Sequence, residues 1–242
     1  MSRLTRTVFW TLPPALLLGA AYCTAQRIRR CVRRIRTHPP VQTQPDHPAR
    51  RLLIVGDSTA AGTGASRPEA SLAGLIARHH PHVAICNRAR NGAKLADIAE
   101  QLRDPAHFDV VLILGGANDV LRMTAAAPLR ASLERVLSLA RQRADTVILM
   151  PAGNVGNTPL FLPPFSWLMA RRSRQLHSLV RRATAATDIV YVNGYAERSE
   201  DPFVKDAQRL NAEDGLHPSD EGYLLWYAAL QRQAQLSQRL AG

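Results

Sequence analysis

Beyond Arg51 the apolar positions come in short unbroken runs: LLIV at 52–55, VAIC at 83–86, VVLIL at 110–114, VILM at 147–150 and IVYV at 189–192. Runs that are apolar at every position, rather than at alternate ones, suit strands buried on both faces of a parallel sheet. Between them the spacing turns helical. Leu72, Leu75 and Ile76 share a face, as do Leu95, Ile98 and Leu102, and as do Leu129, Leu133, Val136, Leu137 and Ala140. Two more helices are expected, near 166–186 and at 219–236. Five strands alternating with helices predict an α/β chain, a three-layer α/β/α sandwich around a five-stranded parallel sheet. Ligands of such sheets bind beyond the carboxyl ends of the strands. Chemistry is therefore sought just after each run.

Gly56-Asp57-Ser58 follows the first run, Asn91-Gly92 lies a few residues past the second, and GGANDV follows the third. DGLHP, with Asp214 and His217, comes after the fifth. A serine hydroxyl is a weak nucleophile until a base takes its proton. His217 is the candidate base for Ser58. Asp214, three residues earlier on the same short turn, is placed to accept Nδ1–H of His217 and leave Nε2 facing the serine. Pro218 restricts His217 to extended backbone. Three donors are candidates for the oxyanion of a tetrahedral intermediate: the N–H of Ser58, the N–H of Gly92 and the side-chain NH₂ of Asn118. One such donor is typically worth ~2.7–4 kcal/mol in the transition state.

Blander readings of the same residues exist. Gly56 and Gly62 suit a plain turn, Asn118-Asp119 suits an Asx turn before a helix, and Asp57 suits a bond to loop amides. GDSTAAGTG could hold a phosphate or a flavin, as in flavodoxin-like proteins. It lacks both GxxxxGK[ST] and GxGxxG, however, and that reading leaves GGANDV and DGLHP unexplained. Asp214 and His217 lack a well-spaced third partner for a metal. His79, His80, His82, His107 and His177 share no spacing that builds a site and are read as surface or helix-end residues. No cofactor and no metal are expected.

Composition alters the picture mainly at the N-terminus. The 242 residues are 46% hydrophobic, enough for one sizeable core. Of the net charge of +12, +8 lies in residues 1–50, where nine arginines face one acid, Asp46. With charge so confined and aromatics at 5%, nucleic-acid binding is not expected. Residues 7–25, TVFWTLPPALLLGAAYCTA, carry no charge and as a helix would reach about 28 Å, close to the thickness of a bilayer core. QRIRRCVRRIR at 26–36 follows with six arginines.

The expectation is a bacterial inner-membrane protein retained by a single N-terminal span. By the charge rule the catalytic side would face the cytoplasm, with the arginines against anionic headgroups. A cleavable signal peptide ending near Cys23 or Ala25 is the alternative. The expected organisation is a membrane segment and basic stretch at 1–36, a proline-rich linker at 37–50 and one domain at 51–242. Cys23, Cys31 and Cys86 form no metal or disulfide pattern, and Cys86 reads as a small core residue.

The four blocks, in this order and over most of residues 51–235, resemble the SGNH/GDSL hydrolase superfamily. Its name letters fall on Ser58, Gly92, Asn118 and His217. The resemblance implies Ser58 as nucleophile, His217 as base, Asp214 as its partner, and Ser58, Gly92 and Asn118 as the oxyanion hole. It also implies a flavodoxin-like strand order of 2-1-3-4-5. LGGANDVLR looks most like the bacterial thioesterase and lysophospholipase branch. Two departures are visible: GDST stands where many relatives have GDSL, and Arg90 and Asn91, not small residues, precede Gly92. The expected activity is hydrolysis of an acyl ester or thioester of a small, lipid-like molecule, with a carbohydrate O-acetyl ester or acyl transfer as the rival. The apolar residues of 160–169 are read either as an acyl pocket or membrane-facing lip, or as a helix packed on the sheet. The arginines at 171–182 are read as a solvated helix face.

Overall fold

The computed structural model describes residues 14–241. Its centre is a sheet of five parallel strands: β1 Arg50–Gly56, β2 Val83–Asn87, β3 Phe108–Gly115, β4 Ala144–Pro151 and β5 Val190–Tyr191. They run in the order β2-β1-β3-β4-β5, the order the family resemblance implies. Each of the five apolar runs lies on a strand. β5 covers only part of its run and pairs with β4 at Ile148–Val190 and Leu149–Tyr191.

The strands are apolar throughout because both faces are covered. Leu53, Val55, Val111, Ile113, Val147 and Leu149 point to one layer, formed by α4 Leu95–Gln101, α6 Ala126–Arg143 and α7 Phe165–Thr184. Their chain neighbours Leu52, Ile54, Val110, Leu112, Ile148 and Met150 point to the other. That layer is α3 Leu72–His79, α10 Asp220–Ala234 and α11 Leu236–Leu240. Alternation along each strand sends successive side chains to opposite faces. Each fully buried aliphatic side chain contributes about 1.5–3 kcal/mol. The helix faces read from sequence are the ones turned inward: Leu72, Leu75, Ile76, Ile98, Leu133 and Ala140 are all buried. Serines start two of these helices. Ser71 Oγ accepts from the Gly74 N–H at 3.1 Å and Ser219 Oγ from the Gly222 N–H at 3.2 Å, each satisfying a free amide of the first turn. Four short helices carry loops: α2 Ser58–Ala61, α5 Ala117–Leu121, α8 Pro202–Lys205 and α9 Ala207–Leu210.

The N-terminal expectation is corrected. No helix among the described residues is long and apolar enough to cross a membrane. Residues 7–13 of the anticipated span lie outside the described residues. The remainder belongs to α1, Pro14–Arg34, which runs on without a break into Arg27, Arg29, Arg30, Arg33 and Arg34. Its uncharged part, residues 14–26, rises only about 20 Å, against a hydrocarbon core of about 30 Å. The reading of a membrane-anchored, inner-membrane protein with one N-terminal span therefore fails, and with it the membrane as a partner through that segment. One stripe of α1 meets the folded body instead, with Thr24 and Cys31 buried and Arg27 donating to the Pro159 carbonyl.

Residues 37–49 are extended and docked along the outer edge of β2. Thr43 forms an antiparallel bridge with Ile85, and the Gln42 amide bonds both the N–H and the C=O of Asn87 at 3.2 Å.

Candidate active site

The carboxyl end of the sheet gathers the four sequence blocks. Strand β1 ends at Gly56, and Asp57 turns the chain into α2. Asp57 caps that helix: its Oδ1 accepts from the N–H of Thr59 at 3.0 Å and from the Thr59 hydroxyl at 2.8 Å. Ser58 is the first helical residue, and its Oγ lies 2.9 Å from His217 Nε2. His217 Nδ1 lies 2.7 Å from Asp214 Oδ2. Asp214 Oδ1 accepts the backbone N–H groups of Leu216 at 2.8 Å and His217 at 3.0 Å. The turn thus clamps its own carboxylate, and the carboxylate sets the ring. Both residues are buried. Burial alone would raise the Asp214 carboxyl, but the bonds from the His217 ring and the two amides outweigh it and hold the group below the usual carboxylate range.

The other side of the serine is formed by the loop after β2 and by α5. Gly92 takes φ +77, a conformation that L side chains rarely adopt. Asn118 lies in the first turn of α5 and donates one Nδ2 hydrogen to the Ala93 carbonyl at 3.1 Å. An amide NH₂ has two hydrogens, so one remains for the cleft. Asp119 completes the brace. It is buried, and its Oδ2 accepts the Leu95 N–H at 2.8 Å, fixing the Gly92 loop against α5. Burial raises the Asp119 carboxyl despite that bond.

Ser58, Gly92, Asn118 and His217 open together onto one cleft of about 310 Å³. Its wall is mainly apolar, with Ile35, Leu121, Val155, Phe203, Leu216 and Trp226 contributing. Residues 160–169 take no part in this lining. Leu160 and Met169 are buried in the body and Trp167 faces outward; the packed-helix reading holds from Phe165, where α7 begins, and not for 160–164. Neither Asp119 nor Asp220 joins Asp214 and His217 in a metal-holding group, and no such group of three occurs among the described residues.

Several supporting residues carry only a weak sequence signal. The Gln101 side chain bonds both the N–H and the C=O of Gly56, at 2.7 and 2.9 Å. The Tyr223 hydroxyl, buried on α10, donates to the Thr63 carbonyl at 2.7 Å. His177, read from the sequence as a surface or helix-end residue, is buried in the middle of α7. Its Nε2 meets the Ala152 carbonyl at 2.8 Å and its Nδ1 the Tyr191 hydroxyl at 2.6 Å, pinning the loop that lines the cleft after β4. Burial pushes the imidazole pKa down. A polar residue on an inward helix face was the available hint for both Gln101 and His177. Arg172 likewise leaves the solvated face expected of it and donates to the Thr124 carbonyl.

Comparison with known proteins bears on the family and the fold. The sequence model of the GDSL-like lipase/acylhydrolase family matches residues 54–225. A comparison with curated proteins finds no match. Among solved structures, a lipase/acylhydrolase from Enterococcus faecalis is 24% identical, with 77% of this chain and 95% of that one covered and a TM-score of 0.58. A catalytic mutant of Axe2, an acetylxylan esterase from Geobacillus stearothermophilus, is 20% identical, covering 78% and 96%, also at 0.58. LAE5, an α/β hydrolase from the metagenome of Lake Arreo, Spain, is 17% identical, covering 81% and 98%, at 0.62. At these identities the likeness is one of fold. The chain belongs to the GDSL-like lipase/acylhydrolase family and is an ester-bond hydrolase.

Proposed function

We propose that Ser58, His217 and Asp214 are the catalytic residues of this esterase, and that the Ser58 N–H, the Gly92 N–H and Asn118 Nδ2 form its oxyanion hole. Ser58 Oγ attacks the carbonyl carbon of an acyl ester or thioester while His217 Nε2 takes its proton. The tetrahedral oxyanion is held by the three donors. His217 then gives the proton to the leaving oxygen or sulfur, and an acyl-enzyme remains. Water attacks the acyl carbon with His217 as base again, which releases the acid and restores Ser58. Asp214 keeps Nδ1 protonated throughout and stabilises the imidazolium.

The observation that carries the reading is the continuous chain Ser58 Oγ, His217 Nε2, His217 Nδ1, Asp214 Oδ2, with contacts of 2.9 and 2.7 Å. Nucleophile, base and orienting acid need such contacts. The substrate class follows from the wall. An apolar cleft of this size suits an acyl chain longer than acetyl, as in a lysophospholipid or an acyl thioester, better than it suits a sugar. The rival, a carbohydrate acetyl ester, takes its support from Asn91, Asn154 and Asn157 in the lining. Asn154 and Asn157 are already engaged with the Ala196 carbonyl.

The test is turnover of p-nitrophenyl esters from two to sixteen carbons by the full chain, beside Ser58→Ala. The reading expects activity rising beyond acetate and lost in the variant. Activity confined to acetate overturns the substrate class. Undiminished activity of Ser58→Ala overturns the nucleophile.

A further inference from the structure

The family match begins at residue 54, yet one residue well before it lines the cleft. Ile35 borders the same cavity as Ser58, Leu216, His217 and Pro218. It follows α1 directly, and its N–H bonds the Cys31 carbonyl at 3.0 Å. The segment is held in place at several points. Arg27 donates to the Pro159 carbonyl, and Cys31 is only 4% exposed. Burial, and then the negative charge of Asp214, push the Cys31 thiol up to about 11.

Just past Ile35 the chain is stitched to the loop behind the nucleophile. The Arg36 carbonyl accepts the Gly64 N–H at 3.0 Å. Gly64 itself abuts the base: a Cβ there would fall 2.7 Å from His217 Cβ and 2.6 Å from the Pro218 carbonyl. Arg36 also pairs with Glu213 at 3.2 Å, and His38 Nε2 meets the Ala65 carbonyl at 3.3 Å. The exposed ion pair adds little energy, but it lies beside the same turn. Ile35 therefore sits on the His217 flank of the cleft, an apolar side chain 37% exposed within a run of six arginines.

The flank has a chemical meaning, which rests on the catalytic reading above. His217 Nε2 must hand its proton to the departing oxygen or sulfur. The leaving group therefore passes on the side of the imidazole, opposite the Gly92 and Asn118 donors. We infer that Ile35 contacts the leaving group of the substrate and selects esters or thioesters whose alcohol or thiol is apolar next to the scissile bond. Specificity on that side would then be set by a segment that the family match does not include.

The experiment uses the full chain with two ester series. One varies the alcohol at fixed acetate, from methyl to octyl. The other varies the acyl chain at fixed p-nitrophenol, from acetate to octanoate. The wild-type chain is expected to prefer octyl over methyl acetate in kcat/KM. Ile35→Asp should lower that octyl-to-methyl ratio about tenfold, the lower end of what a mismatched apolar contact is worth. The octanoate-to-acetate ratio should not move. Val32→Asp places the same charge on a side chain of α1 that is 66% exposed and outside the cleft, and should leave the alcohol ratio alone. A wild-type chain indifferent to the alcohol, an unchanged alcohol ratio in Ile35→Asp, or an equal fall in the acyl ratio each overturns the assignment. Failure of the underlying catalytic reading would look different, as activity in Ser58→Ala.

Discussion

The Gln101 carboxamide closes a ring of two hydrogen bonds with the backbone of Gly56, donating to its carbonyl and accepting from its N–H. Gly56 is the last residue of β1, two positions before Ser58, and a Cβ on it would fall 2.1 Å from the Leu114 carbonyl. The strand end thus packs tightly against β3 and is locked from the other side by a helix residue 45 positions away. Gln101→Ala leaves the buried Gly56 N–H unpaired, while the Gly56 carbonyl keeps the Arg90 N–H at 3.1 Å. Urea titration should register a loss of roughly 1–3 kcal/mol, and kcat should fall further than KM rises, because the reference frame of Ser58 is loosened.

Asp214→Asn separates orientation from packing. An asparagine Oδ1 can still accept the Leu216 and His217 amides, so the turn should fold. Its NH₂ then faces His217 Nδ1 and forces the tautomer that cannot accept the serine proton. A fall in kcat of about ten-thousandfold with an unchanged unfolding midpoint is the expected pair of results. A loss below tenfold would show that Asp214 does not orient the base.

Asn118→Ala removes the side-chain donor proposed for the developing oxyanion. Its charge grows only in the transition state, so kcat should drop about 10²–10³-fold while KM stays within a few-fold. A change confined to KM would reassign Asn118 to ground-state binding.

Asp57 gives a pH signature in stability. Its Oδ2 is buried without a partner, and burial raises the carboxyl above its ordinary 3.8, more than the Thr59 bonds lower it. A raised folded-state value means that the fold favours the protonated form. The contribution is full below about pH 3.8 and is lost as pH rises through the folded value. Asp57→Asn keeps the Oδ1 cap and lacks the titration. Measured by denaturation across pH, the variant should gain on the wild-type chain with rising pH and then level off. A gap that stays constant, or that widens toward acid, contradicts the assignment.

The parts of the molecule legible in the sequence were those whose cause is local. A strand covered on both faces must be apolar at every position, so the runs at 52–55 and 110–114 declare themselves. Asp214 and His217 share one turn, so their pairing is written into their spacing. Ser58, Gly92 and Asn118 are exposed to view by strand ends and turn residues. What stayed hidden depends on distant partners. Gln101 and His177 are ordinary polar helix residues until the sheet is assembled. Leu160 and Met169 read equally well as pocket or core. The apolar residues of α1 fit a membrane span when counted apart from the arginines that continue the same helix, and nothing local told that Thr24 and Cys31 would turn inward against the body.

The contact between Ser58 and His217 joins residues 159 positions apart, one just after the first strand and the other after the last. No early portion of the chain contains a working site, however well it is ordered. With the proposed residues, hydrolytic competence during synthesis requires the C-terminal segment that carries Asp214 and His217. Nascent or truncated chains are thereby kept catalytically silent. Enzyme activity during refolding would accordingly report closure of the whole chain, later than any signal from secondary structure.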